Sequence, residues 1–561
     1  MSTSPYAAKP WLKHYPASIP ENISNYQFTS LGDCISNASR EFKDAIAYTT
    51  CLPNGFNASL TFSQIEELSN NLAVYLVNEL GLKKGERVAL QMPNCQTYPI
   101  AVFAVLKAGL IVVNLNPLYT ESETEHALQD SEAKAIIIID IFAHKLENIL
   151  VKTSVKNVLV CSIADFFPLL IKGIVYAKQK YIQKAIKCIR FPYIKIAKAV
   201  TKSKNGKELN GKVCLEDIAC LQYTGGTTGK TKGAELTHAN ILANMMQIRE
   251  FSRLKVELGK EVLLTAIPLY HIFSFTVNGL FFYSVGARNV LIPSPRPILN
   301  LKKTFQKFSF TWITGVNTLF HTLCMEEWFV KNAPKNLKVT VAGGMPLLSA
   351  TAKKWRTVVG GQLVEGYGLT ETSPALTFNP IGGIIKDDSI GVPICSTEVK
   401  LVDLEGQEVP QGMPGELCAK GPQVMRGYWN NANETSQALK DGWFSTGDIA
   451  VMDEDGYFKI VDRKKDMILV SGFNVYPNEV EDCIQKIPTV LECAVIGIAD
   501  GEKGEAVKAF VVSNESHLTA EEVIAHCRKY LTPYKIPKHV EFRVELPKSP
   551  VGKILKRELR N

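Results

Sequence analysis

From about residue 85 the sequence alternates short runs of β-branched residues with longer stretches of helical composition. The runs RVALQMPN, LIVVNLNP and KAIIIID are interleaved with stretches such as YPIAVFAVLKAG. After an interruption the same rhythm returns in VLLTAIPL, NVLIPSP, FTWITGV and KVTVAGG. Strands that alternate with helices form βαβ units, in which helices cover a largely parallel sheet. The sequence therefore predicts a large α/β body, divided into subdomains, up to about residue 460.

A second, smaller unit is predicted after Asp462. The charged segment DRKKD is followed by a new strand, a helix (NEVEDCIQKI), two further strands (ECAVIGIAD and AVKAFVVS) and a final helix. About 95 residues are enough for a small α+β domain. We therefore predict a large N-terminal α/β region at 1–462, a hinge at 463–466 and a small mobile C-terminal domain at 467–561.

Composition places the chain among globular proteins. Of its 561 residues, 46% are hydrophobic and 21% are charged, values that exclude disorder and coiled coil as descriptions of the whole chain. The 13 cysteines form no CxxC pair and no zinc-like cluster with histidine, which favours a reducing cytosol. No apolar run approaches about 18 residues, so neither secretion nor a transmembrane anchor is predicted.

Positive charge is concentrated in one segment. The chain carries 63 Lys and Arg against 55 Asp and Glu, a net charge of +8. Residues 166–212 contain twelve basic residues and one acid, or +11, which leaves −3 for the rest. This distribution argues against nucleic acid as a partner, and the interleaved Ile, Tyr and Phe suit an anionic membrane. A helix whose apolar stripe packs on the main body, with solvated lysines, is the alternative.

The most informative stretch is YTGGTTGKTKG at residues 223–233. Its glycines allow close backbone approach, and its N–H and hydroxyl groups can surround phosphate oxygens, which indicates a phosphate loop rather than a polar surface turn. The Walker A pattern is satisfied in its second half by Gly229, Lys230 and Thr231, but Thr224 stands where its first glycine belongs. A P-loop NTPase is therefore disfavoured.

This loop resembles the phosphate loop of the acyl-adenylate-forming enzymes, a family of acyl-CoA synthetases, luciferases and peptide-synthetase adenylation domains. One departure is Thr231, where that family usually has Pro or a small apolar residue. Further motifs match in the family's order, and the whole most resembles bacterial long-chain fatty-acid CoA ligases. These motifs are PLYHIFSF (268–275), VAGGMPL (341–347), EGYGLTETSP (365–374), GWFSTGD (442–448), DRKKDMI (462–468), GFNVYPNEVE (472–481) and PKSPVGKILKREL (547–559).

The resemblance implies a role for each site residue. It makes Lys553, Glu371 and His271 catalytic, gives Mg²⁺ the ligands Thr224 and Glu371, puts the pivot of the hinge at Lys465 and places Gly472 on the CoA side. The residues that it places at ATP or AMP are Tyr223, Thr224, Gly225, Gly226, Thr227, Thr228, Gly229, Lys232, Gly343, Gly344, Gly366, Tyr367, Thr370, Asp448 and Arg463.

The chemistry of these residue types agrees with the implied roles. Tyr367 offers a flat face to a purine, Glu371 a hard oxygen to Mg²⁺, and Asp448 an acceptor for ribose hydroxyls. Lys553 follows a turn and can act as a mobile point charge on phosphate. Each has an ordinary alternative when it is considered alone: a structural turn for the first three, a solvated tail for Lys553, and a satisfied core histidine for His271.

The implied reaction has two steps. ATP converts a fatty acid into an acyl-adenylate with release of pyrophosphate, and the thiol of CoA then takes the acyl group and releases AMP. The expected partners are a long-chain fatty acid, ATP, CoA and Mg²⁺. The expected location is the cytoplasm, at the inner face of the membrane. Whether the protein forms a homodimer is left open. A fatty-acyl-AMP ligase, an aryl-acid CoA ligase and a membrane-binding protein with a degenerate nucleotide site are the alternatives. The preferred length of the fatty-acid chain cannot be predicted, because the residues near 310–319 that are expected to line the acyl tunnel have no direct sequence code.

Overall fold

The structure is a computed structural model that describes residues 4–16, 19–202, 211–224, 231–470, 473–500, 505–514, 517–548 and 554–560. The chain forms two compact units. The large unit contains residues 12–398 and 420–442, and the small unit contains residues 1–11, 399–419 and 443–561. The predicted hinge at 463–466 lies within the small unit. A hinge is defined by how two segments move relative to each other, so the hinge stays a prediction.

Sixteen α-helices occur in the part of the chain that the structure describes. They are α1 Leu31–Glu41, α2 Phe62–Val74, α3 Thr97–Lys107, α4 Glu121–Asp130, α5 Asp140–Ala143, α6 Leu169–Ala177, α7 Ile196–Lys202, α8 His238–Ser252, α9 Phe282–Ser284, α10 Lys302–Lys307, α11 Asn317–Met325, α12 Glu327–Lys331, α13 Ser349–Val358, α14 Ala432–Ala438, α15 Pro477–Ile484 and α16 Ala520–Tyr530.

The same described residues contain 27 β-strands. They are β1 Ile46–Cys51, β2 Asn57–Thr61, β3 Arg87–Gln91, β4 Ile111–Asn114, β5 Ala135–Ile139, β6 Asn157–Cys161, β7 Ile194–Lys195, β8 Ile218–Thr224, β9 Lys232–Thr237, β10 Val262–Thr265, β11 Arg288–Leu291, β12 Trp312–Gly315, β13 Val339–Ala342, β14 Gln362–Gly368, β15 Ala375–Phe378, β16 Val392–Pro393, β17 Glu398–Val402, β18 Gly415–Lys420, β19 Gly427–Tyr428, β20 Leu439–Lys440, β21 Trp443–Met452, β22 Phe458–Arg463, β23 Ile468–Val470, β24 Phe473–Val475, β25 Val490–Ala499, β26 Glu505–Ser513 and β27 His539–Phe542.

Two large sheets organise the large unit. One has the order β16-β15-β14-β13-β12-β10-β11-β1-β2, and the other has the order β19-β9-β8-β4-β3-β5-β6-β7. Their central strands pair in parallel, as β10 does with β12 and β3 does with β5. Strand β5 reads AIIII and is buried at every position, as expected for a parallel strand that is covered on both faces. The predicted α/β class with a largely parallel sheet is confirmed.

Local sequence signals set several helix starts. Helices α2, α4, α8 and α16 each begin after a threonine whose hydroxyl accepts the backbone N–H three residues on, while that residue's side chain returns the bond. This capping box satisfies N–H groups that a helix start leaves without partners. For α8 the pair is Thr237 and Asn240, so the helix begins directly after strand β9. The capping box thereby fixes where β9 ends and α8 begins.

The small unit contains an antiparallel sheet and an α+β part. Strands β18, β21 and β22 pair antiparallel, and β25, β26 and β27 form a second sheet. Helices α15 and α16 bury Val480, Ile484 and Val523 in a core against that second sheet. The helix, two strands and final helix that the sequence predicts after Asp462 are therefore confirmed as α15, β25, β26 and α16.

The basic segment exposes part of its apolar surface and buries the rest. Helix α6 buries Val175, whereas Leu169 and Leu170 are 88% and 77% exposed and Ile174 is 48% exposed. An ion pair of 2.9 Å between Lys172 and Asp165 connects the helix to its own unit. Further along the segment Ile196 and Val200 are buried, so part of its apolar surface packs on the main body while the surface of α6 is exposed. Within the described residues, no helix has the length and apolar character needed to cross a membrane.

Candidate active site

The ends of the predicted phosphate loop are held by an antiparallel hairpin in the large unit. Strands β8 and β9 pair so that Tyr223 lies opposite Gly233 and Thr224 opposite Lys232. The hairpin therefore brings the first and last residues of the loop together. The predicted loop residues that lie outside the described ranges, and whose roles stay predictions, are Gly225, Gly226, Thr227, Thr228 and Gly229.

Tyr223 anchors the end of β8. Its hydroxyl donates a 2.6 Å hydrogen bond to Oδ2 of Asp130, at the end of α4. Burial, followed by the neighbouring Asp130 carboxylate, raises the pKa of Tyr223 far above its usual range. A Cβ at Gly233 would lie 3.3 Å from the Tyr223 ring, so glycine allows the two strands to pass closely here. The hydroxyl of Tyr223 therefore serves the fold, which the sequence motif does not reveal.

Glu371 lies in a 3-10 turn, Thr370–Thr372, that follows β14. The hydroxyl of Tyr428 donates a 2.8 Å hydrogen bond to Oε1 of Glu371, and the backbone N–H of Met425 donates to the Glu371 carbonyl at 2.7 Å. Residues just before and within β19 therefore hold both the side chain and the backbone of Glu371. Burial and this carboxylate raise the pKa of Tyr428 well above its usual range.

Lys232 belongs to the same group of side chains. Its ammonium forms an ion pair with Glu434 and lies 5.5 Å from the centre of the Tyr428 ring. The ammonium of Lys232 therefore lies near the ring of Tyr428, and the carboxylate of Glu371 accepts from its hydroxyl. Tyr428 and Glu434 are missing from the predicted site, because their connection to Glu371 and Lys232 exists only after β19 pairs with β9.

Two neighbouring parallel strands bring the predicted glycines together. Gly343 follows β13, and Gly366 lies in β14 beside it. A Cβ at Gly343 would lie 3.2 Å from the carbonyl oxygen of Gly366 and 3.2 Å from the ring of Phe273. Gly344 has a φ of +79°, which favours glycine. The structure thus joins the motifs that contain Gly343, Gly366 and His271 at one edge of the sheet.

Tyr367 and Thr370 continue from this edge. Tyr367 is half-buried in β14 and pairs with Thr377 of β15, and Thr370 begins the 3-10 turn that carries Glu371. Tyr367, Thr370 and Glu371 therefore follow one another from the end of β14 into the turn that carries the carboxylate.

His271 is half-buried at the end of a turn that leaves β10. The turn is held by polar side chains from the loop after β3 and from α3: Asn94 accepts the N–H of Leu269 at 2.7 Å, and the hydroxyl of Tyr98 donates to the carbonyl of Leu269 at 2.9 Å. The side-chain amide of Gln222 donates to the next carbonyl at 2.8 Å. Side chains from a loop, a helix and strand β8 therefore position the turn that carries the histidine.

Glu365 is a further ionisable residue at this edge, and the predicted site does not contain it. Its Oε1 accepts the backbone N–H of Leu347 at 3.1 Å, which closes the loop that begins with Gly343 and Gly344. Desolvation raises the pKa of Glu365 to about 8, and the negative charges of Asp388 and Asp387 act in the same direction. The group therefore carries a proton at neutral pH.

In the small unit, Asp448 and Arg463 lie opposite each other in the pairing of β21 with β22. Asp448 is 6% exposed, and Nε of Arg463 lies 3.4 Å from its Oδ1. These two residues, both predicted to bind ATP or AMP, are thus paired with each other. Desolvation and the positive charge of Arg463 lower the pKa of Lys465.

Asp462, just before the predicted hinge, and Asp466, its last residue, both form polar contacts within the small unit. Asp462 accepts the N–H of Asn478 at 2.7 Å, and burial raises the pKa of Asp462 to about 6. Asp466 forms a 3.0 Å ion pair with Arg560. Gly472 and Lys553 lie outside the described residues, so their predicted roles are unchanged.

Two family models match most of the chain. The model of the AMP-binding enzyme matches residues 35–429, and the model of the AMP-binding enzyme C-terminal domain matches residues 479–553. The chain therefore belongs to the AMP-binding enzyme family, as its motifs predict.

Curated relatives match over nearly the whole chain. A long-chain-fatty-acid–CoA ligase of Yersinia pestis is 49% identical over 99% of this chain and 98% of its own. A long-chain-fatty-acid–CoA ligase of Bacillus subtilis is 38% identical over 98% and 97%. Among solved structures, ATP-bound MatB from Rhodopseudomonas palustris is 27% identical, with a TM-score of 0.81 over 94% of this chain and 98% of that one. The predicted fold of a large N-terminal and a smaller C-terminal part is thereby confirmed.

Proposed function

We propose that the protein activates long-chain fatty acids to their CoA thioesters, through an acyl-adenylate and with release of AMP and pyrophosphate. The observation that carries this function is the full-length similarity to long-chain-fatty-acid–CoA ligases, at 49% identity in the first of them. The function and the enzyme class predicted from the motifs are confirmed by these relatives. The roles of individual residues and the membrane contact are further parts of the proposal.

In the first step the fatty-acid carboxylate attacks the α-phosphorus of ATP, and pyrophosphate leaves. The attack brings two anions together, so the contribution of the protein is to position them and to neutralise charge. The N–H and hydroxyl groups between Thr224 and Lys232 would surround the phosphates, and Lys553 would place a point charge between carboxylate and phosphate. Tyr367 would stack on adenine, while Asp448 would accept the ribose hydroxyls.

Thr224 and Glu371 would hold Mg²⁺. The described residues contain no group of three His, Cys, Asp or Glu side chains placed to bind a metal. The oxygens of Thr224 and Glu371 fit Mg²⁺, which takes hard oxygens, keeps several waters and is bound by one or two carboxylates together with substrate phosphates. The Tyr428 hydrogen bond gives the Glu371 carboxylate a fixed orientation, as partners of metal ligands do. When bound, Mg²⁺ supplies positive charge to the phosphate oxygens.

In the second step the thiol of CoA attacks the carbonyl carbon of the acyl-adenylate, and AMP leaves. Gly472 would lie on the CoA side, and His271 beside the acyl carboxylate. Support for the place of His271 comes from the tethered turn, which brings Phe273 against Gly343. The hinge at Lys465 would allow the small domain to serve the two steps in two orientations.

A peripheral contact with an anionic membrane is also part of the proposal, at the cytoplasmic face. Its support is the surface of α6 and the residues after it, where apolar and basic side chains are exposed together. Leu169 and Leu170 are joined by Tyr181 and Ile182, which are 69% and 77% exposed. Exposed Lys178, Lys180 and Lys184 lie between or beside them. Apolar insertion together with attraction to anionic headgroups is how interfacial helices bind membranes.

Activity assays test the function directly. We expect pyrophosphate release that requires both a fatty acid and ATP, followed by CoA thioester formation. An acyl-length panel should favour long chains over aryl acids such as ferulate. Pyrophosphate release without thioester formation would identify a fatty-acyl-AMP ligase instead. Nucleotide binding without either product would identify a binding protein with a degenerate site.

A further inference from the structure

A cavity of about 360 Å³ lies in the large unit, between α8, the segment before α1 and the end of α9. Sites for small molecules range from about 300 to 1,000 Å³, so this cavity is large enough for a ligand. Of the described residues, none that is predicted to bind ATP, Mg²⁺ or CoA lines it. It is therefore separate from the predicted adenylation site.

The walls of the cavity combine an apolar surface with polar residues, among them Gln27 and Glu250. Helix α8 contributes Leu242, Met245 and Met246, which follow one another along a single face of the helix. Ile23 and Phe28 line the cavity from the segment before α1. Methionine side chains are unbranched and adaptable, so such a lining can accept flexible chains of varying shape. The walls favour a hydrocarbon ligand.

A cation lies further along the same face of α8. Arg249 lines the cavity and is exposed, and its guanidinium group forms no hydrogen bond or ion pair with any residue that the structure describes. Arg253 and Glu250 also line the cavity, but they form an ion pair of 3.0 Å with each other, so the charge of Glu250 is compensated. The planar guanidinium group of Arg249 presents two parallel N–H groups, which match a carboxylate. The cavity thus combines a hydrocarbon lining with one available carboxylate-binding group.

We infer that this cavity binds a long-chain fatty acid, with the chain against the α8 methionines and the carboxylate on Arg249. The ligand has the class of the proposed substrate, and the site is a second one. A free fatty acid and an anionic phospholipid share an acyl chain with a negative head. The single unpaired arginine and the modest volume favour the fatty acid, with its one chain and one negative charge.

Equilibrium dialysis of the full chain tests the inference, with the adenylation site blocked by a non-reactive palmitoyl-sulfamoyl adenosine. Labelled palmitate should still bind to the blocked protein at one equivalent. Arg249→Glu should weaken this binding at least tenfold, because attraction becomes repulsion, and Met246→Trp should weaken it similarly by filling the cavity. Lys255→Glu is the matched control, since Lys255 is exposed near the end of the same helix but does not line the cavity.

Two further probes separate the sources of the ligand. Methyl palmitate, which lacks the charge, should bind at least tenfold more weakly than palmitate, and vesicles of anionic phospholipid should not displace palmitate. The inference is overturned if the blocked protein binds no palmitate, if Arg249→Glu binds it like the parent, or if phospholipid competes equally. Adenylation by Arg249→Glu, assayed in parallel, distinguishes loss of this site from loss of the proposed function.

Discussion

Tyr428 and Glu371 are 57 positions apart in the sequence and are joined by a 2.8 Å hydrogen bond from the tyrosine hydroxyl to Oε1 of the carboxylate. The bond connects β19 to the turn after β14, and the Tyr428 ring also lies beside the ammonium of Lys232. The predicted metal ligand is therefore oriented by a residue outside the recognised site motifs. This arrangement makes the effect of removing a single hydroxyl predictable.

Tyr428→Phe should reduce adenylation roughly 10- to 100-fold, the usual effect of losing a partner of a metal ligand. The loss should be largest at low Mg²⁺, because the carboxylate is no longer oriented. The measurement is pyrophosphate release as a function of Mg²⁺ concentration. Tyr530→Phe, at an exposed tyrosine of α16, is the control. An unchanged Mg²⁺ dependence in Tyr428→Phe would show that the hydrogen bond has no part in metal binding.

Lys553→Ala should abolish adenylation and leave the fold intact, because the substitution removes a charge that the resemblance assigns to the transition state. Single-turnover pyrophosphate release measures the activity, and thermal unfolding measures the fold. Lys529→Ala, at an exposed lysine of α16, removes the same charge elsewhere in the small unit. Similar rates of adenylate formation in Lys553→Ala and the parent would refute the catalytic role.

Lys465→Pro should uncouple the two half-reactions. Proline fixes φ near −65° and restricts the residue before it, so it should hold the predicted hinge near one arrangement. The neighbouring N–H of Lys464 donates to the carbonyl of Gly447 in β21, and the N–H of Asp466 donates to the carbonyl of Arg463. We expect adenylation to survive better than thioester formation from preformed acyl-adenylate. Lys465→Ala separates loss of the charge from restriction of the backbone, and equal loss in both steps would contradict a hinge.

Glu365→Gln should change how stability depends on pH. The folded-state pKa of Glu365 is raised to about 8 from a usual 4.5, so its stabilising contribution is complete below pH 4.5 and is lost as pH rises towards 8. The free energy of unfolding of the parent should therefore fall relative to Glu365→Gln across this window, by up to about 1.4 kcal/mol per pH unit. Urea unfolding between pH 5 and 9 measures the difference. Exposed Glu405→Gln should run parallel to the parent, and parallel behaviour of Glu365→Gln would disprove the assignment.

Charge and apolar substitutions on the α6 surface should weaken binding to anionic vesicles. Leu169→Asp together with Leu170→Asp removes the two most exposed apolar residues of α6, and neither is needed for packing. Co-sedimentation of the parent should itself fall as salt rises. Val151→Asp, at an apolar residue that is 89% exposed elsewhere, is the matched control. Binding that resists both salt and the double substitution would return the segment to a purely structural role.

The sequence determined the α/β class, the small C-terminal α+β part and the family. Strand and helix periodicity and turn motifs are local properties, so they could be read directly from runs such as KAIIIID and EGYGLTET. The order of motifs along the chain was enough to predict the reaction. The capping threonines, Thr237 among them, are local signals of the same kind.

Only the tertiary structure decided which distant residues support the site. Tyr428 donates a hydrogen bond to Glu371, Tyr223 donates one to Asp130, and Asn94 accepts one from the turn before His271. Sheet pairing and packing bring these residues together across long intervals of the sequence. The raised pKa of Glu365 likewise follows from desolvation, which a sequence does not display. Hydrogen bonds and desolvation depend on distance in space, and spacing along the chain does not fix that distance.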